Sequence, residues 1–263
     1  MSRFETLFPS PRPIIGMIAL PPMPGYDAYT NIDALIDAAL EDLEQLEHGG
    51  VDAVLVENDF DQPHTRFGGA EVHAAMTRIT REVVSRARVP VGVEVLLDDW
   101  RASLAIAAVT GARFIRVDFF VDRVMTKFGE FEPNPSAVMN YRRRIRAEHV
   151  QLYADLQVKY SAPIGAPKLI EHSARDAELA GADAVIISGS ETAVGPSPND
   201  LRAAHAAALP VLIGSGLTHE NAAALIPLAD GAIVGTALRS GREATDRVVR
   251  AHVSRLVHAV RLA

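Results

Sequence analysis

The chain has 263 residues, 48% of them apolar and 22% charged, with a formal net charge of −7 and no cysteine. This is ordinary globular composition; it excludes disulfides and thiolate chemistry, and its acidic balance argues against a nucleic-acid partner. No apolar run approaches the ~20 residues of a membrane span, and "MSRFETLFPSPRP" lacks the apolar segment of a signal peptide, so a soluble cytoplasmic protein without membrane insertion is expected.

Short apolar runs alternate with longer helical patterns. "PIIGMIAL" (13–20) reads as a strand. In 31–50, Ile32, Leu35, Ile36, Ala39, Leu43 and Leu46 form one helical stripe, closed by glycines. "VDAVLVEN" (51–58) is the next strand, followed by a helix over about 70–86. "VPVGVEVLL" (89–97) is a strand and 99–111 a helix. "ARFIRVDFF" (112–120) is a strand. The one long irregular stretch, 121–136, is either a lid or a plain surface loop. A helix through "YRRRIR" (141–146) follows, its arginines expected on a solvated face. Then come strand 150–159, helix 169–180, strand 182–189, helix 197–208, strand 210–216, helix 219–229, strand 230–238 and a last helix over about 243–261. Ser197-Pro198-Asn199-Asp200 has the form of a helix N-cap with proline at the first helical position.

Strict alternation makes the sheet parallel. Eight strand–helix units match a (β/α)₈ TIM barrel spanning 1–263 as one domain. The alternative is an open doubly wound sheet. It would more often carry a Gly-rich fingerprint after the first strand, where this chain has "LPPMPGY".

In such barrels the active site lies at the C-terminal ends of the strands. There, strands two to five carry charges: Glu57, Glu94, Arg116 and Asp118, then Asp155, Gln157 and Lys159. Side chains alternate along a strand, which puts Arg116 with Asp118, and Asp155 with Gln157 and Lys159. Charges in a helix-covered strand are costly unless they face a solvated mouth or pair together. Strands six to eight end instead in small residues: Ser188-Gly189-Ser190, Gly214-Ser215-Gly216 and Gly235-Thr236. Glycines here let backbone N–H groups approach an oxyanion, and "TALR" (236–239) can form a short extra helical turn. A phosphate site at Gly214, Ser215, Gly216, Gly235 and Thr236 is expected, with Ser188, Gly189 and Ser190 on an adjoining substrate loop; two tight turns without a ligand are the alternative.

No cofactor is expected. A divalent metal held by Glu57, Glu94, Asp118 or Asp155 suits the residue types, but no ligand motif marks it. His64 and His73 lack metal-ligand spacing and read as surface or core histidines. Arg66, in the same loop as His64, is a candidate contact for an anionic substrate.

The stretches "IGMIALPPMPG", "VDAVLVEN", "ADLQVKYSAP", "GADAVIISGSET" and "LPVLIGSGLTHENAAALIPLADGAIVGTALRSG" resemble the BtpA/SgcQ family, in order along nearly the whole chain. The resemblance implies a TIM-type barrel. The family is named for a factor needed for photosystem I biogenesis, and other members look like sugar-metabolism enzymes of undefined reaction. Histidine, frequent in that family at the positions of Ala19, Gln157 and Tyr160, is absent here, and Glu94 and Asp118 stand where asparagine is frequent. This marks a divergent member and speaks against histidine-based chemistry.

Two functions follow as expectations. One is an isomerase, epimerase or lyase of a small phosphorylated metabolite of the sugar-phosphate type; sequence does not choose among the three. In it Lys159 is clamp, base or Schiff-base nucleophile, Asp118 and Asp155 move protons, and Arg116 orients a carboxylate or carbonyl. The other is a non-catalytic metabolite sensor or assembly factor. A nucleotide-binding barrel is weaker, since no aromatic base sandwich accompanies the phosphate half. Homo-oligomerisation is common in such barrels, but no residue pattern specifies an interface.

Overall fold

The computed structural model describes residues 2–263. Eight parallel strands close into a barrel: β1 (Ile14–Ala19), β2 (Ala53–Glu57), β3 (Val91–Glu94), β4 (Phe114–Val117), β7 (Gln151–Leu156), β9 (Ala184–Ile187), β10 (Val211–Ile213) and β11 (Gly231–Val234). The helices between them are α2 (Ile32–Gly49), α3 (Ala70–Arg86), α4 (Trp100–Thr110), α5 (Pro135–Arg144), α6 (Ile170–Ala180), α7 (Pro198–Ala204), α8 (Ala222–Leu225) and α9 (Arg250–Leu262). The (β/α)₈ expectation is met.

The two-residue period of the strands sorts their side chains into two cores. Val54, Val56, Ile115, Val117, Leu152, Ala154, Val185, Ile187, Val211 and Ile213 pack outward against the helices. Ile15, Ala53, Leu55, Phe114, Tyr153, Ala184, Ile186, Leu212 and Ile233 fill the barrel. Extending the inward series by one residue pair reaches Glu57, Arg116, Asp155, Ser188, Gly214 and Gly235. The polar mouth is therefore the top layer of the same alternation.

Local signals behave as the sequence indicates at several helix ends. Asn31 accepts a hydrogen bond from Ala34 N–H, and α2 ends at Gly50 with φ 96°. Ser197 accepts from Asp200 N–H, with Pro198 opening α7.

Other segments differ. A short helix, α1 (Arg3–Leu7), precedes β1 and was not expected. Its Phe4, with Phe8, packs against the ring pair Phe114–Tyr153 and closes the floor of the barrel. The 121–136 stretch is not irregular throughout: β5 (Val124–Thr126) and β6 (Gly129–Phe131) form a hairpin, and β8 (Ser161–Pro163) pairs with β5 to complete a three-stranded sheet on the rim. Strand 150–159 stops at Leu156, because Gln157 adopts φ 47°. The 219–229 helix shrinks to α8 and a 3₁₀ turn at Ile226–Leu228, where Pro227 lies. The last helix starts at Arg250, and 243–249 instead wraps back so that Arg239 and Val248 form a bridge. Within "YRRRIR", Arg142 is buried rather than solvated; it donates to Glu148 O at 3.0 Å and pairs with Asp183 at 3.2 Å.

Candidate active site at the barrel mouth

A single guanidinium organises the charged half. Arg116 is 4% exposed and donates to Asp155 from Nε at 2.7 Å and from Nη2 at 3.1 Å. Glu94, Glu57 and Asp118 lie 3.7, 3.9 and 3.9 Å from its nitrogens. Glu57 and Glu94 are register partners on β2 and β3, so the backbone itself sets the two carboxyls side by side. Each has a buried Oε2 that no protein group contacts by hydrogen bond.

Four carboxyls around one cation cannot all ionise in a buried site. Burial pushes the pKa of Glu94 well above the usual carboxylate range, and the neighbouring Asp118 charge adds to this. Glu57 is raised by burial and by Asp59, against the pull of Arg116. Asp118 is pushed up to about 7, by burial first, with Asp155 and Glu57 adding to it and Arg116 opposing. For Arg116, burial alone would lower the pKa; Asp155, Glu94 and Asp118 more than reverse it.

The mouth holds two adjoining cavities. One, of about 560 Å³, is bordered by Leu97, Asp118, Phe119, Phe128, Val158 and the hairpin. The other, of about 410 Å³, lies over Gly214–Thr218 and Gly235–Ala237. Glu57, Asp59, Arg116, Lys159 and Thr192 line both and mark the junction. Lys159 enters no salt bridge among the described residues, so its ammonium is available at that junction.

The six charged candidates thus divide. Glu57, Arg116, Asp118 and Lys159 line the cavities, whereas Glu94 and Asp155 stand behind them. The side chain of Asp155 is 0% exposed and bonded twice to Arg116, and it reaches neither cavity, whereas Arg116 lines both. Gln157 leaves the mouth: with its left-handed backbone it donates to Lys168 O at 2.7 Å. The carboxylates that the sequence offers to a metal surround Arg116 instead; among the described residues no three His, Asp or Glu side chains are grouped to hold a metal ion.

The small-residue half is also divided. Gly214 N–H is used in the ladder, donating to Ile187 O at 2.9 Å. Ser215 Oγ accepts from Ala193 N–H at 3.1 Å and holds the loop after β9. Gly216 has φ 71°, and a Cβ there would meet Gly195 N at 2.1 Å, so loop packing as well as backbone geometry calls for glycine. The N–H groups of Gly216, Thr236 and Ala237 donate to no protein group among the described residues. Thr236–Leu238 forms the short 3₁₀ turn that "TALR" foretold. Ser188 Oγ donates to Asp155 at 3.2 Å, and neither it, Gly189 nor Ser190 lines either of the two mouth cavities. Gly189 is needed because a Cβ would meet Val194 O at 2.2 Å.

Three further groups line the cavities: two arginines that the sequence did not single out, and His64, which it read as a surface or core histidine. Arg239 lines the glycine-rich cavity, is 6% exposed and lies over the Phe60 ring at 4.7 Å; its Nε is buried without a hydrogen-bond partner. Arg242 lines the same cavity and is exposed. His64 lines the other one, with a buried, unpartnered Nδ1 and a pKa lowered by burial. Their signal was weak: an arginine after a short turn looks like any surface arginine. Arg66, by contrast, is tied to Asp98 at 3.0 Å and lies over Phe131, and His73 pairs with Asp99 at 2.7 Å.

Among solved structures the chain is similar to tryptophan synthase from Mycobacterium tuberculosis, with a TM-score of 0.64 and 19% identity over 100% of this chain and 99% of that one. It is also similar to N-(5'-phosphoribosyl)anthranilate isomerase from Pyrococcus furiosus, with a TM-score of 0.59 and 16% identity over 96% and 100%. At these identities the likeness is one of fold. Sequence relatives are nearer. An uncharacterized protein of Archaeoglobus fulgidus is 36% identical over 90% of this chain and 97% of its own length. The photosystem I biogenesis protein BtpA of Synechocystis is 35% identical over 99% of this chain and 91% of its own. The sequence model of the BtpA family matches residues 10–262, and the chain belongs to that family.

Proposed function

We propose that the protein is an enzyme that moves a proton on a small phosphorylated metabolite of the sugar-phosphate type. The observation that carries this is the junction: Lys159 and Glu57 stand where the two cavities meet, Asp118 borders one side, and unpaired backbone N–H groups border the other. The phosphate is held by the N–H groups of Gly216, Thr236 and Ala237, with Arg239 and Arg242 supplying positive charge. Gly214, Ser215 and Gly235 shape that cradle.

Asp118, whose pKa of about 7 suits proton transfer at neutral pH, takes a proton from the carbon next to the substrate carbonyl. Lys159 donates a hydrogen bond to the carbonyl oxygen, where negative charge develops. Arg116 and Asp155 hold the carboxyl layer in place from behind. Aldose–ketose isomerases, epimerases acting next to a carbonyl and β-eliminating lyases share this first step. The test is deuterium exchange from D₂O into a panel of sugar phosphates, both plain and bearing apolar or aromatic substituents, followed by NMR. Wash-in at the carbon next to the carbonyl, lost in Asp118→Asn, is the expected result; no exchange across the panel would remove the enzyme reading.

The second reading is a metabolite-binding assembly factor. It is supported by the name of the Synechocystis relative. Phosphate binding without any turnover would favour it.

A further inference from the structure

The larger cavity has a wall of a different kind from the rest of the mouth. Phe119 and Val158 are buried in a small apolar cluster with Val124 and Phe131, and Leu97 and Phe128 pack on its edge. This cluster is separate from both the barrel interior and the helix-facing core. It is built by the β5–β6 hairpin, an insertion the barrel does not need for closure. Behind the wall, Phe119 and Phe131 stack with ring centres 3.9 Å apart and planes 19° from parallel. Leu97 and Phe128 stay partly exposed to the cavity.

A small, fully hydrated sugar phosphate would satisfy the glycine-rich cavity and the junction, but would leave this wall wet. Either cavity alone has the volume of a small-molecule site. We infer that the substrate is elongated, a phosphate ester bearing an aromatic group at its far end. Its phosphate lies over Gly216 and Thr236, its reacting carbon lies at the Lys159 junction, and its ring packs against Leu97, Phe119, Phe128 and Val158. Burial of apolar ring surface supplies the binding energy. This inference rests on the phosphate-binding reading above.

The test is calorimetric titration of the full-length protein with three probes: inorganic phosphate, butyl phosphate and 4-phenylbutyl phosphate. The phenyl compound is expected to bind at least about tenfold more tightly than the butyl one. In Phe128→Ala that gap should close, with inorganic phosphate affinity unchanged. Intermolecular NOEs from the phenyl protons to the Leu97 and Val158 methyls in the unaltered protein give a readout independent of any variant's folding. Equal affinities for the two esters, or a gap that persists in Phe128→Ala without those NOEs, would overturn the aromatic assignment and leave the phosphate site standing. No binding of inorganic phosphate or of either ester would overturn the phosphate reading, and this one with it.

Discussion

Arg116 and Asp155 are joined by two hydrogen bonds, 2.7 and 3.1 Å long, from neighbouring strands, with both side chains nearly inaccessible to solvent. A bidentate pair of this kind fixes the guanidinium in position and in plane. Three further carboxyls then share the field of that one cation.

Removing the cation should therefore cost more than removing any one acid. Arg116→Met leaves Asp155 buried and unpaired, and is expected to lower stability by about 3–5 kcal/mol. Chemical denaturation measures it. Glu94→Gln removes one of the mutually repelling acids and should be far milder.

Asp118 makes a pH prediction. Its folded-state pKa is raised from 3.8 to about 7, so between these values the folded chain binds more protons than the unfolded one. Stability contributed by this group is complete below the unfolded pKa and declines as pH rises toward 7. Asp118→Asn should flatten that decline in denaturation curves taken from pH 4 to 7. If Asp118 acts as the base, turnover in the unaltered protein rises through the same region, since the ionised form is required.

Phosphate should raise the melting temperature in proportion to the logarithm of its concentration once that concentration exceeds Kd. Arg242→Met, altering an exposed cavity residue, should weaken that effect without lowering the melting temperature in phosphate-free buffer. An unaltered phosphate response would exclude Arg242 from the cradle.

The floor is testable separately. Phe8 is 4% exposed and meets Phe114 edge-on at 6.3 Å. Phe8→Ala should cost about 3–5 kcal/mol, with phosphate affinity intact, because the floor and the mouth lie at opposite ends of the barrel.

The barrel was legible because apolar runs such as "AVLVE" and "AVII" are bounded by helical stripes and glycine stops. The charged mouth was legible because Arg116 and Asp155 interrupt runs that are otherwise apolar. What sequence could not show is which charges would meet: Asp155 retreats behind Arg116, and Gln157 leaves the mouth through a left-handed backbone that no glycine announces. The hairpin was hidden because its strands are only three residues each. Phe4 and Phe8 precede the first strand, where nothing local tells a floor from a tail. Arg239 gained its place only when 243–249 folded back to offer it the carbonyls of Glu243 and Asp246.

The aromatic floor has a consequence for traffic. With Phe4, Phe8, Phe114 and Tyr153 packed across one end, the two cavities open at the other, the mouth. On the proposed enzyme reading, whatever is made at the Lys159 junction leaves by the same mouth its precursor entered. Departure and arrival cannot overlap, and a product that lingers blocks the next arrival, so product should inhibit competitively against substrate.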